Sequence, residues 1–357
     1  VEPTALQERL ARRLPAALGL GVPGIGVALL AGSEVVWTAA HGVADAATGA
    51  PLTPESVFEG ASLSKPVFAC AVLRLWEAGL LDLDRPLSDY LPAPYLPDEP
   101  RLPLITARYV LAHRTGFPNW RPRGRPLRLG AAPGARFGYS GEGYVYLQRV
   151  VEHLVGAPLH EVAAARVLAP LGLARSSYVW RPDYAQTAAR GHRADGTPRE
   201  QERPTAGNAA YSLYTTPTDF ARFAGALLAP AAAGLLRGPT VAEMCAPQTR
   251  IDDRLAWGLG WGLQRPAPVR DGWSLWHWGD NPGYKHVALI GREHGLVVMT
   301  NGDRGLPACR ALVGDAMGAE APLFAFLDAF EQYVVRVPPD ESDRPPQTGA
   351  ATRSDRS

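Results

Sequence analysis

Ser62 and Lys65 stand three residues apart in the stretch Glu59-Gly60-Ala61-Ser62-Leu63-Ser64-Lys65. At the start of a helix, residues three apart share a face with Cβ atoms roughly 5–6 Å apart, so hydroxyl and amine can meet. A serine hydroxyl alone is a poor nucleophile. A lysine whose pKa is lowered by desolvation or by nearby positive charge holds the neutral amine that takes its proton. Arginine stays charged and has no such use. A four-residue pattern also recurs by chance, but lysine usage gives this one weight. Lys65 and Lys285 are the only lysines in the chain, and every other cationic side chain that is always charged is arginine. The spacing therefore predicts a nucleophile, Ser62, with Lys65 as its base. Ser64, one residue before Lys65, points about 100° away on a helix and reads as a local capping hydroxyl.

The elements that must hold this pair follow from the flanking sequence. Pro3 to Leu18 carries apolar residues at helical spacing with arginines between, ended by Gly19 to Pro23. Ile25–Leu30 and Glu34–Ala40 flank Ala31-Gly32-Ser33 in the pattern of a β-hairpin. From Pro66 to Gly79 the chain is apolar on nearly all sides, which predicts a helix buried within a domain. Pro66 removes an N–H four residues after Ser62, so the helix proper is expected to begin slightly after the motif. Between Leu80 and about Pro247, helical patches are predicted at Thr106–His113, Gly141–Val155, Pro158–Leu168 and Thr218–Leu228, with no strand-rich block. Strand-like runs return at Trp273–Trp278, Tyr284–Gly291 and Leu296–Asn301, with Arg292–Gly295 as a tight turn, and Pro307 to Val335 reads as one or two helices.

Helix and strand material at both ends around a helical middle predicts an α+β fold. One sheet domain is expected from residues 1–60 and 255–337, with a helical domain, 61–254, inserted in it. Residues 338–357 have no apolar periodicity and read as a disordered tail. A chain of 357 residues that is 46% hydrophobic can bury a large core. Its net charge of +1 gives no reason to expect nucleic acid or an anionic membrane as partner, and no apolar run is long enough to span a bilayer. Cys70, Cys245 and Cys309 are odd in number and far apart, so neither a disulfide framework nor a metal pattern is visible. The first residue is Val, which leaves the compartment open.

Ser62-x-x-Lys65, Tyr139-Ser140-Gly141 and His277-Trp278-Gly279 resemble, in order and spacing, the three motifs of the serine β-lactamase and penicillin-binding-protein superfamily. The class C, DD-carboxypeptidase and esterase branches are nearest. The stretches Leu111–Trp120, Phe137–Tyr144 and Asp280–Tyr284 are similar to the corresponding family segments. The resemblance implies an antiparallel sheet with the active site between it and the helical domain, and acyl transfer without a cofactor or metal. It implies that Lys65 and Tyr139 share the proton, with Tyr139 near the leaving group if the lysine's charge favours its phenolate. The oxyanion donors it implies are the backbone N–H groups of Ser62 and Asp280. Gly279 would let the substrate lie against the strand. His277 would position substrate or assist proton traffic, whereas without the resemblance it reads as a packed strand residue. Lys285 would meet a substrate carboxylate, against the plainer reading of a solvated strand lysine, and Glu59 reads as structural.

Departures from the family pattern bear on the substrate. The second motif commonly ends in Asn, and here Gly141 has no side chain to offer. The third is usually Lys-Thr/Ser-Gly, and here His277 and Trp278 replace the charge and the hydroxyl. Histidine in that place is shared with some DD-carboxypeptidases and D-aminopeptidases, and an aromatic there is reminiscent of family VIII carboxylesterases. The expected substrate is a small ester, amide or lactam. An esterase is the leading reading. D-Ala-D-Ala carboxypeptidase, D-aminopeptidase, class C β-lactamase and a penicillin-binding or peptidoglycan-sensing module without turnover are the alternatives. Gly138-Tyr139-Ser140-Gly141-Glu142 approaches the Gly-x-Ser-x-Gly elbow of another hydrolase class but fails at Glu142. His160-Glu161 lacks the second histidine that a metal hydrolase needs.

Overall fold

The run Gly24–Ala31 is apolar from end to end, and a strand of that kind must be covered on both faces. It lies inside a sheet, and its side chains divide with period two. Ile25, Val27 and Leu29 join one core cluster, while Ala28 and Leu30 join another. The protein is seen here as a computed structural model describing residues 2–122, 124–265, 272–317 and 321–337. In chain order its elements begin α1 (Pro3–Leu18), β1 (Gly24–Ala31), β2 (Glu34–Asp45), β3 (Ala50–Pro51), β4 (Phe58–Glu59), α2 (Ser64–Glu77), α3 (Ala107–Leu111) and α4 (Gly141–Val155). They continue through α5 (Leu159–Ala163), α6 (Tyr184–Thr187), β5 (Tyr214–Thr215), α7 (Pro217–Leu228), α8 (Pro230–Ala233) and α9 (Gly238–Met244). The last are β6 (Thr249–Arg250), β7 (Leu255–Trp257), β8 (Gly262–Gln264), β9 (Ser274–Asn281), β10 (Tyr284–Ile290), β11 (His294–Thr300), α10 (Gly305–Met317) and α11 (Leu323–Asp328).

One sheet of nine strands, β3-β2-β1-β11-β10-β9-β8-β7-β6, holds the two ends of the chain together. Its seam is the antiparallel pair β1 and β11, in register from Ile25 opposite Thr300 to Ala31 opposite His294. Helices α1 and α10 cover one face, where Leu6, Leu10 and Leu14 meet Leu312 and Val313. The other face takes α7, which packs on β1, β2 and β11. Behind α7 the core continues into α2 and α4. The fold is therefore the α+β arrangement that the sequence predicts.

Local chemistry accounts for the element ends. Thr216 accepts the Asp219 N–H at 3.0 Å with Pro217 at the first position of α7, and α4 stops at Gly156, whose φ of 70° closes the helix. α2 begins at Ser64, two residues after Ser62, with Pro66 in its first turn, where a missing N–H costs nothing.

Three details differ from the sequence pattern. β6, β7 and β8 extend the sheet before Trp273, each two or three residues long and too short to show periodicity. β4, just before the expected helical stretch, pairs with β5 within it in a two-stranded ladder, Phe58 opposite Thr215 and Glu59 opposite Tyr214. The expected turn Arg292–Gly295 ends at Glu293, because Gly291 N–H already bonds His294 O at 2.9 Å. The expected tail, 338–357, lies outside the described residues. Among the described residues no helix is long and apolar enough to cross a membrane, and no cluster of His, Cys, Asp and Glu could hold a metal ion.

Candidate active site

The β4–β5 ladder leads directly into the loop that carries Ser62. Gly60 N–H bonds Leu213 O at 2.6 Å, and Ser64 Oγ donates to Ala61 O at 2.6 Å while accepting Leu213 N–H at 2.9 Å. Ser64 is thus consumed in local structure. Between these anchors Ala61 adopts φ 50°, a left-handed conformation that costs a non-glycine residue about 1–2 kcal/mol. The strain is held at the residue before Ser62.

Lys65 is wholly buried, and its Nζ lies 2.9 Å from Ser62 Oγ and 2.8 Å from Ala210 O. Burial holds its pKa well below the usual 10.5. With the amine neutral, one N–H donates to Ala210 O and the lone pair is free to accept the Ser62 O–H. Tyr139 packs its ring 4.8 Å from Lys65 Nζ. Burial pushes the phenol up, and the neighbouring Ser62 hydroxyl offsets this only in part. Both shifts favour a neutral amine and a neutral phenol at rest, where the sequence pattern allowed a phenolate.

The Ser62 N–H bonds no acceptor among the described residues. Asp280 is placed by the β9–β10 hairpin, where Pro282 and Gly283, φ 88°, make a two-residue turn. In such a hairpin the closing pair, Asn281 and Tyr284, exchanges hydrogen bonds and the next pair, Asp280 and Lys285, does not. The Asp280 N–H therefore faces away from β10. Gly279 makes the approach possible: a Cβ there would lie 2.6 Å from Gly60 O and 2.7 Å from the His286 ring. Its bare backbone serves the meeting of β9 with the loop that carries Ser62.

A cavity of about 380 Å³ opens over Ser62 and is lined by Tyr139, Trp278, Gly279, Asp280 and Lys285. Two larger grooves, of about 720 and 830 Å³, lie elsewhere and contain none of these groups. His277 and Gly141 are not on the cavity wall. His277 is fully buried behind it, with Trp278 N–H donating to its Nδ1 at 2.9 Å, and burial, with Lys65 nearby, lowers its pKa to about 3. Gly141 lies beneath Trp120, whose ring a Cβ would meet at 2.5 Å. Lys285 is not a solvated strand lysine: its Nζ bonds Asp280 Oδ1 at 2.6 Å and stands 3.9 Å from Asp303.

Several wall residues had no role in the sequence reading. Trp120 and Tyr211 pair edge to face at 5.7 Å, and Phe330 and Glu331 come from the segment after α11. That segment is tied to the second motif, since Tyr139 N–H bonds Tyr333 O at 2.7 Å. Ser140, the rival nucleophile, caps α4: its Oγ donates to Pro118 O at 2.8 Å and accepts Gly143 N–H at 3.0 Å.

Glu59, three residues before Ser62, is surrounded at 3.3 Å by Gln201, Tyr214 and Asn281. Burial, with Glu202 adding to it against the Asn281 hydrogen bond, raises its pKa from 4.5 to about 7. Between those values the native state keeps a proton that the unfolded chain releases. The contribution is present in full below about pH 4.5 and is lost as pH rises through about 7, up to about 3 kcal/mol. Glu59→Gln is therefore expected to raise Tm relative to wild type at pH 8.5 but not at pH 4.5. Equal differences at the two pH values would refute the assignment.

The comparisons with known proteins agree with this geometry. The Beta-lactamase family model matches residues 8–313. Esterase EstB of Burkholderia gladioli is 33% identical over 175 residues, 41% of this chain and 44% of that protein, so the match spans less than half of EstB. Penicillin-binding protein 4 of Amycolatopsis lactamdurans is 27% identical over 298 residues, 76% of each chain. The structure of a beta-lactamase/D-alanine carboxypeptidase from Pseudomonas syringae superposes with a TM-score of 0.77 at 17% identity, over 88% of this chain and 99% of that one. The motifs, the fold and the extent of the family match together show that the chain belongs to the beta-lactamase family of serine hydrolases.

Proposed function

We propose that the protein is a serine hydrolase that turns over small esters through an acyl-enzyme on Ser62. In this reading Lys65 accepts the Ser62 proton and Tyr139 passes it to the leaving group. The N–H groups of Ser62 and Asp280 stabilise the oxyanion. Trp278, Gly279 and Lys285 shape the wall, while Gly141 makes room for Trp120. His277 acts from behind the wall as a neutral support.

The observation that carries the choice of ester is the pairing of Lys285. It is the only cation lining the cavity among the described residues, and Asp280 already holds it at 2.6 Å. Trp278 stands where the family's hydroxyl would bind a substrate carboxylate. A β-lactam would have to break the ion pair or leave its own charge unpaired. At about 4 kcal/mol that is roughly 10³-fold in rate. A neutral ester has no such requirement and gains from aromatic walls. EstB, an esterase by name, supports the same reading.

The test is kcat/KM for p-nitrophenyl butyrate, nitrocefin and a D-alanyl-D-alanine peptide on one preparation. The ester is expected to exceed nitrocefin by about 10³-fold. Efficient lactam or D-peptide hydrolysis with negligible ester turnover would refute it. A single stoichiometric burst with no steady state would instead identify a binding module.

A further inference from the structure

We propose that His113 is the positioning residue of Tyr139, acting through the hydrogen bond its Nδ1 accepts from the Ser140 N–H. The inference rests on the acyl-transfer reading of Ser62 and Tyr139 and names what fixes the phenol in that site.

His113 follows α3, in the Leu111–Trp120 stretch, and brackets Tyr139 on three sides. Its carbonyl accepts the Gly138 N–H at 2.8 Å. Its Nδ1 accepts the Ser140 N–H at 3.1 Å. Its ring lies against the Tyr139 ring, centroids 4.2 Å apart and planes tilted by 34°. The N–H groups of Gly138 and Ser140, the residues flanking Tyr139, and the Tyr139 ring itself are thus all in contact with one residue. Histidine is an unusual choice for a purely packed position, because it is wholly buried and its backbone sits at φ 55°. That left-handed conformation is uncommon outside glycine, with Asn, Asp and His the side chains that tolerate it best. The neighbouring residue of the second motif that needs an acceptor is Ser140, whose N–H has no helical partner at the start of α4.

The tautomer follows from the geometry. An Nδ1 that accepts a hydrogen bond carries no proton, so the neutral ring bears its proton on Nε2. Lys65, Tyr139, Tyr144, His277 and Trp257 are the polar or titratable groups around the ring. Burial, then Lys65 and His277, disfavour a second proton. His113 is accordingly a fixed neutral acceptor, and it moves no proton in the reaction. Its effect is to hold the phenol of Tyr139 beside Ser62 and Lys65, where a displacement of about 1 Å costs roughly 10²-fold in rate.

Asn and Gln separate the two ring nitrogens in a test. The Asn Oδ1 falls near the Nδ1 position and Asn tolerates positive φ, whereas the Gln amide reaches toward Nε2. His113→Gln is expected to lose about 10²-fold in kcat on p-nitrophenyl butyrate with KM little changed, and His113→Asn to recover most of that loss. Repeating His113→Gln in the Tyr139→Phe background separates positioning from general damage. If His113 acts through the phenol, it has little left to lose there, and the second loss is expected to stay below about threefold. Equal losses in both backgrounds, or an Asn variant as slow as the Gln variant, would overturn the assignment while leaving Ser62 chemistry intact. Absence of fluorophosphonate labelling at Ser62 in the wild type would overturn the acyl-transfer reading and this inference with it.

Discussion

Ser62→Ala is expected to lower kcat for p-nitrophenyl butyrate by at least about 10³-fold, the scale of nucleophile removals in serine hydrolases. The expectation follows from geometry rather than from the motif alone. Ser62 Oγ is 2.9 Å from the buried Lys65 amine, and it opens on the cavity that Tyr139 and Trp278 line. The rival hydroxyls are committed elsewhere. Ser64 donates to Ala61 O, and Ser140 donates to Pro118 O while capping α4. A fluorophosphonate should therefore add its mass to Ser62. Trypsin does not cut before Pro66, so the label falls on a peptide running from Leu14 to Arg74, and fragmentation must assign it among the serines there. Label on Ser140, or an alanine variant that keeps more than a tenth of the rate, would refute Ser62 as the nucleophile.

The sequence made the Ser62–Lys65 pair and the sheet legible for separable reasons. Lys65 was conspicuous because an arginine-rich chain retains lysine at only two positions. The joining of the two termini was legible because strand periodicity appears at both ends and helical periodicity between them, and β1 pairing with β11 realises it. What stayed hidden depends on contacts distant in sequence. Trp120 fills the space over Gly141, 21 residues later, and no local pattern announces such a filling. The segment after α11 reaches the cavity through Phe330 and Glu331 and bonds Tyr139, 194 residues before Tyr333, through backbone alone. Side-chain periodicity cannot report a backbone bond.

The pairing of Asp280 with Lys285 is itself encoded locally. Pro282-Gly283 reads as a two-residue turn, which by counting places Asp280 opposite Lys285. The salt bridge that neutralises the cavity's lysine follows from that pairing. His277 shows the limit of motif logic in the other direction. Strand alternation puts it on the opposite face of β9 from Trp276 and Trp278, and Trp278 is the one that reaches the cavity.

Lys65→Arg is expected to collapse kcat nearly as far as Lys65→Ala, by about 10³-fold, because arginine keeps the charge and approximate reach but accepts no proton. The site also resists a permanent cation. Lys65 is fully buried, its carbonyl partner is Ala210 O, and burial already holds its own pKa far below 10.5. A buried guanidinium without a carboxylate partner is destabilising, so an inactive Arg variant could be inactive through unfolding. Lys65→Met removes that ambiguity, being neutral and of similar length. The linkage sign favours it: below the usual lysine pKa the unfolded chain binds a proton that the native Lys65 gives up, so wild-type stability is reduced at neutral pH. Lys65→Met is then expected to melt at or above the wild-type Tm at pH 7 while losing rate as completely as the alanine variant, and to label slowly with fluorophosphonate. A stable Arg variant that retained most of its kcat would show that Lys65 is an electrostatic helper, and a Met variant that did so would show that neither its charge nor its basicity is needed. Either result would move the role of base to Tyr139, whose ring lies 4.8 Å from the amine.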